Sequence, residues 1–157
     1  MSIATVRAFL AERAPELQVI EHADSTATVA LAAAAFGVEP GQIAKTLSLK
    51  VGETVLLVVA RGDTRLDNRK AKAAFGGKAR MLSADEVVEH TGHPVGGVCP
   101  FGLAKPLPVY CDVSLKSFEV VLPAAGSTNS MVRIAPERMV EITAAAWVDV
   151  CQDLSQT

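Results

Sequence analysis

Within TGHPVGGVCPFG, residues 91–102, a histidine and a cysteine stand among four glycines and two prolines. A thiol becomes a nucleophile when a neighbouring imidazole takes its proton, so Cys99 with His93 or His90 as base is one chemistry open to this stretch. No third residue at a recognisable spacing would orient that base, and a small, inert, buried Cys99 is the competing reading. The glycines offer a different chemistry. Gly96-Gly97 frees the backbone to turn N–H groups toward one point, while Pro94 and Pro100 restrict the flanks; convergent donors suit an anion or a developing oxyanion. His93, Cys99 and Cys111 match no standard zinc spacing, so no metal is expected. His22, at a strand end, reads as structural.

Lys45 is the second chemically unusual residue. In the strand pattern KTLSLKV it shares a face with Leu47 and Leu49, while Thr46, Ser48 and Lys50 take the other. A lysine on an apolar face either snorkels to the rim or points its ammonium at an anion in a cleft. The third feature is the basic segment 65–80, where Arg65, Arg69, Lys70, Lys72, Lys78 and Arg80 accompany the single acid Asp67. It is either a solvated helix face or a surface for backbone phosphates.

The elements that must hold these residues follow from periodicity and caps. Ser2 caps a helix carrying Ile3, Val6, Phe9 and Leu10 on one face, ended by Pro15. A short strand is predicted at 18–22. A helix follows at 26–36, opening near Asp24-Ser25-Thr26 and ending at Gly37, and its nearly all-apolar composition predicts burial all round. KTLSLKV and TVLLVVA form a hairpin about Gly52-Glu53. A helix at 67–75 stops at Gly76-Gly77, and a strand covers 79–82. Ser83-Ala84-Asp85-Glu86 is a capping box for a helix to His90. LPVYCDV, EVVLPA and MVRIA read as strands separated by SLKSF and by the turn GSTNS, and a last helical turn begins at Pro136. Several connections are too short for parallel crossovers, which predicts a mixed α/β (α+β) fold with a curved sheet surrounded by helices.

The 157 residues make one domain, 1–157, with a core built from Ala, Val, Leu and Ile, because aromatics are only 4%. No apolar run reaches membrane-spanning length, and the N-terminus lacks a basic-then-apolar signal pattern, so neither a membrane nor export is expected. Three cysteines without a CxxC pair fit a reducing cytoplasm. A net charge of −2 argues against bulk attraction to DNA or other nucleic acid and leaves local patches open.

Lys45 in AKTLSLK, the GGVCP loop and the later AAGSTNS turn occur in the order found in the prolyl-tRNA synthetase editing-domain superfamily, or YbaK-like aminoacyl-tRNA deacylases, which the chain resembles along essentially its whole length. HADSTATVALAAAAFGVEPGQIAKTL and VARGDTRLDNRKAKAAFG belong to the same resemblance. It implies a barrel-like mixed sheet and hydrolysis, in trans, of the ester of mischarged tRNA, with aminoacyl-tRNA as partner, a synthetase or elongation factor as further partners, and no cofactor. Lys45 would contact the terminal adenosine region. Gly96, Gly97, Val98, Cys99 and Pro100, the GxxxP loop, would hold the aminoacyl carbonyl and ribose through backbone groups. Gly126, Ser127, Thr128 and Asn129 would border the amino-acid pocket, and Arg65, Arg69, Lys70 and Lys72 would contact tRNA. An aminoacyl ester is already activated, so positioned water, a ribose hydroxyl and oxyanion donors suffice without an evident general base. A non-catalytic tRNA acceptor-end or adaptor-binding module and a Cys99-dependent hydrolase are the alternatives. Alanyl, seryl, threonyl and cysteinyl groups all remain open as substrates.

Overall fold

The computed structural model describes residues 2–153. Helix α1 (Ser2–Arg13) buries Val6 and Leu10, four positions apart on one face. It stops before Pro15, which has no N–H to continue the helix. After strand β1 (Ile20–Glu21) comes α2 (Val29–Phe36), capped by Thr28, whose hydroxyl accepts from the Leu31 amide at 3.2 Å. Its start is thus later than the sequence predicts, because Thr28 and not Asp24-Ser25-Thr26 supplies the cap. Nor is α2 buried all round: Leu31 is 48% exposed and only Ala32 and Ala33 are buried. Alanine is the strongest helix former and has little surface to hide, so exposing it carries little penalty.

Strands β2 (Ile43–Val51) and β3 (Thr54–Arg61) form the expected hairpin, with Lys45 opposite Ala60 and Leu49 opposite Leu56. Strand β4 (Thr64–Leu66) leads into α3 (Asn68–Phe75), whose Asp67 cap accepts from the Arg69 and Lys70 amides. Strand β5 (Ala79–Met81) and α4 (Ala84–Thr91) follow, the latter opened by the Ser83–Glu86 capping box. Beyond the glycine-rich loop lie β6 (Val109–Asp112), β7 (Leu122–Pro123), β8 (Ser130–Met131), α5 (Pro136–Thr143), β9 (Ala146–Val148) and β10 (Cys151–Asp153). The last helix is longer than a single turn. Of EVVLPA only Leu122 and Pro123, and of MVRIA only Met131, lie in named strands; single bridges pair Val121 with Ile134 and Ala124 with Met131. Pro123 lacks an N–H and cannot extend a ladder.

The main sheet runs β5-β2-β3-β6-β9, with β7 also on β2. It is mixed: β2 meets β3 and β5 antiparallel, while β2–β7, β3–β6 and β6–β9 are parallel. β5 and β9 end the order and do not pair with each other, so barrel-like closure is not found among the described strands. Alternation sends Leu57 and Val59 into a core with Val6, Leu10, Cys99, Phe101 and Cys111 on one face. Leu49, Leu56, Val58 and Ala60 pack with Ala71 and Val150 on the other. No helix among the described residues is long and apolar enough to cross a membrane.

The edge of β2 opposite β3 is covered in two separate places. β7 pairs with Ile43 and Ala44, and β5 with Leu49, Lys50 and Val51. The Leu82 amide extends the second contact by donating to the Ser48 carbonyl at 3.0 Å. Residues 45–47 have no strand neighbour on that side. Since backbone groups alternate in direction along a strand, the outward Ser48 carbonyl means that Thr46, two residues earlier, turns its N–H and C=O into the gap.

Candidate active site

A cleft of about 260 Å³ occupies that gap. Its floor is β2, from Ile43 to Thr46 with Ser48; Thr26 to Val29 form one side, Met81, Leu82 and Val87 another, and Val95, Gly96 and Val98 bring in the glycine loop. The lining is mostly aliphatic, interrupted by the hydroxyls of Thr26, Thr28, Thr46 and Ser48 and by Lys45, and includes no carboxylate, imidazole or thiol. Of the loop residues singled out by sequence, Gly96 and Val98 line the cleft; Gly97, Cys99 and Pro100 do not.

The loop takes its shape from two glycines. The Gly97 amide donates to the Pro94 carbonyl at 2.9 Å, closing a turn that requires φ +89° at Gly96. Gly97 lies so close to the 126–129 turn that an added Cβ would sit 2.7 Å from the Ser127 nitrogen. Its carbonyl also accepts from the Gly126 amide at 3.0 Å. The expectation that both glycine N–H groups converge on a ligand is therefore corrected: that of Gly97 is consumed in the turn. The N–H groups of Gly96 and Val98 make no hydrogen bond among the described residues.

Gly126, Ser127, Thr128 and Asn129 stand behind the cleft wall. The Thr128 carbonyl accepts from the Thr26 amide at 2.6 Å, and Asn129 exchanges two bonds with His22, at 2.7 and 3.0 Å. The Ser127 hydroxyl is engaged with Asn129 at 3.0 Å and Ser130 at 2.5 Å. The turn thus anchors residues 22–28, which carry Thr26 into the wall. Sequence reasoning saw Thr26 only as part of a helix start, whereas the alternation in KTLSLKV had already put Thr46 and Ser48 together on the non-leucine face.

Lys45 belongs to the cleft wall, but its ammonium donates to the Thr64 carbonyl, on the sheet face that carries Leu47 and Leu49. Burial lowers its pKa, while the neighbouring Cys151 and Asp63 act in the opposite direction; the Cys151 thiol is itself pushed up to about 12 by burial. The basic segment lies across the sheet from the glycine loop. α3 packs Ala71 into the second core and leaves Arg65, Arg69 and Lys72 exposed nearby. Lys70 is committed to Asp149 at 3.0 Å and to the Cys151 carbonyl at 3.1 Å.

Cys99 and His93 are fully buried and do meet, with sulfur and Nε2 3.6 Å apart. The ring nitrogens, however, are already assigned. Nε2 lies 2.8 Å from the Phe101 carbonyl, which can only accept, so Nε2 carries the proton and Nδ1 accepts from the Ser2 hydroxyl. Burial holds the His93 pKa down and pushes the Cys99 thiol up to about 12. A protonated Nε2 has no lone pair for the thiol's proton, so the pair ties the loop to α1 instead of forming a nucleophile. Cys111 is likewise raised to about 12 by burial. We expect no reaction of Cys99, Cys111 or Cys151 with a thiol-specific disulfide reagent in the native protein at pH 8, and three equivalents in guanidinium. Rapid native labelling of Cys99 would contradict this arrangement.

Comparison with known proteins gives this geometry a family. The aminoacyl-tRNA editing domain family matches residues 23–142, which include every wall of the cleft. YwhH of Bacillus subtilis (strain 168), an uncharacterized protein, is 48% identical over 155 residues, spanning 98% of this chain and 99% of YwhH. The proline–tRNA ligase of Shouchella clausii (strain KSM-K16) is 35% identical over 119 residues, covering 74% of this chain but 21% of the ligase. A crystal structure of a protein provisionally assigned as a trans-editing enzyme for prolyl tRNA synthetase superposes with a TM-score of 0.89 at 36% identity, over 96% of this chain and 97% of that one. The chain belongs to the aminoacyl-tRNA editing domain family.

Proposed function

We propose that this protein is a deacylase that hydrolyses, in trans, the ester joining a small amino acid to the terminal ribose of a mischarged tRNA. The observation that carries the reading is the cleft itself, a mainly aliphatic recess lined by the unpaired edge of β2 and by Gly96 and Val98, whose N–H groups make no hydrogen bond among the described residues. Its volume of about 260 Å³ suits a small side chain and its ester, with the rest of the tRNA outside. Pockets that enclose a whole small-molecule ligand typically measure roughly 300–1,000 Å³.

In this mechanism water attacks the ester carbonyl carbon while Gly96 and Val98 donate to the oxygen as it gains charge. The bond to the ribose oxygen then breaks: one proton of the attacking water passes through the neighbouring ribose hydroxyl to the leaving ribose oxygen, the other goes to solvent, and the amino acid leaves as its carboxylate. The substrate supplies the acid–base group, which matches a cleft without titratable carboxylate or imidazole. Lys45 acts as an orienting charge for the terminal adenosine, leaving the Thr64 carbonyl when the nucleotide arrives. A cytoplasmic location, with substrate delivered by a synthetase or elongation factor, goes with this proposal.

Lys45→Ala is expected to lower kcat/KM for deacylation by about 100-fold, the scale for loss of one positioned electrostatic group, with an unchanged circular dichroism spectrum. Wild-type turnover in that variant would remove Lys45 from the mechanism. Arg65, Arg69 and Lys72 are proposed to contact tRNA phosphates around the edge formed by β5, which ends at Met81 in the cleft wall. Arg69→Glu with Lys72→Glu should weaken tRNA binding and flatten its salt dependence; unchanged binding at low salt would exclude this surface. Tight tRNA binding without any ester release would identify a binding module instead of an enzyme.

A further inference from the structure

The side-chain oxygens of Thr26 and Thr46 are buried without a hydrogen-bond partner among the described residues, and both residues line the cleft. Thr26 is only 4% exposed, and its backbone is fixed by the Thr128 carbonyl, so main-chain movement does not readily free the side chain. Thr46 lines the same cleft from the unpaired stretch of β2, and Ser48, 4% exposed, adds a hydroxyl on the same face two residues on. Around them Val29, Ile43, Leu82, Val87, Val98 and Met131 are aliphatic. Buried hydroxyls are ordinarily paired because an unpaired one forfeits its hydration without compensation. Two such groups on residues that line one recess need a common explanation.

We infer that Thr26 and Thr46 read the side chain of the aminoacyl group, and that the cleft selects a hydroxyl-bearing residue, seryl or threonyl, over alkyl side chains of equal size. This rests on the deacylase reading above and gives it a substrate class. A pocket that discriminates by volume alone cannot separate a hydroxymethyl from an ethyl group, whereas one with unpaired hydrogen-bonding groups can, because the alkyl substrate leaves those groups unsatisfied. A hydroxyl substrate is matched to the pair: it donates to one threonine oxygen and accepts from the other. Rotation about χ1 exchanges each threonine's oxygen with its methyl carbon, which turns the hydroxyl from its own wall toward the ligand.

The test uses the intact protein and one tRNA, a proline tRNA transcript, charged either with serine or with its near-isostere 2-aminobutyrate. The expected result is a kcat/KM at least about tenfold higher for the seryl ester. Thr26→Val and Thr46→Val should each shrink that ratio, chiefly by lowering the seryl rate; Thr→Ser at either position should retain it. Because each valine change removes an unpaired buried oxygen, the melting temperature of the free variants should hold or rise, which a merely structural threonine would not produce. Equal rates for the two esters, or a seryl preference untouched by both valine variants, would overturn the assignment and leave the deacylase standing. Absence of ester release from both substrates, and from alanyl-tRNA assayed beside them, would overturn the deacylase and this inference with it.

Discussion

The interruption in strand pairing along one edge of β2 is the constraint on which the rest of the site depends. Backbone N–H and C=O groups that leave water must find partners, and a strand edge left bare inside a protein is therefore confined to places where something else can supply them. Here the pairing of β2 with β7 stops at Ala44 and its pairing with β5 begins at Leu49. The few residues between are too short a stretch to template another strand, yet long enough to expose the peptide groups of Thr46. Everything that lines the cleft is positioned by its relation to that gap: α4 follows directly from β5, residues 22–28 hang from the 126–129 turn, and the glycine loop closes over the remaining side.

The loop is held by contacts that work from beneath it. His93 connects the Ser2 hydroxyl to the Phe101 carbonyl, and the Gly97 carbonyl takes the Gly126 amide. The His93–Phe101 bond is buried, where an unmade hydrogen bond is expensive, so the loop has little freedom to collapse into the cleft. Positioned backbone donors are useful in catalysis because they do not have to reorganise as charge develops. A domain that acts on an activated ester can therefore devote its side chains to shaping the recess and its main chain to the reacting oxygen.

Much of this was legible in the sequence. The KTLSLKV hairpin, the capping box at Ser83 and the terminating glycines fixed most element positions, because each is a local signal read from a few adjacent residues. The oddity of Lys45 was visible as well, since strand alternation is strict enough to assign a face. What could not be read were relations between distant segments. Thr128 and Asn129 looked like a polar turn, and nothing local reveals that their carbonyls hold Thr26 and His22 across more than a hundred residues of chain. The role of the Gly97 amide was misjudged for a similar reason: a flexible pair of glycines permits convergent donors, but only the Pro94 partner decides where the N–H points. Cys99 and His93 are adjacent as their spacing suggested, and it is the tautomer imposed by Phe101 that makes them structural.

The account's central claim is that the aminoacyl ester is held at the broken edge of β2, under Gly96 and Val98. The most direct measurement is a co-crystal structure with an adenosine carrying the amino acid through a non-hydrolysable 3′-amide. The account predicts the amide carbonyl within hydrogen-bond distance of the Gly96 and Val98 nitrogens and the side chain between Thr26 and Thr46. Binding of the analogue on the opposite face of the sheet, beside α3, with the cleft unchanged, would contradict it.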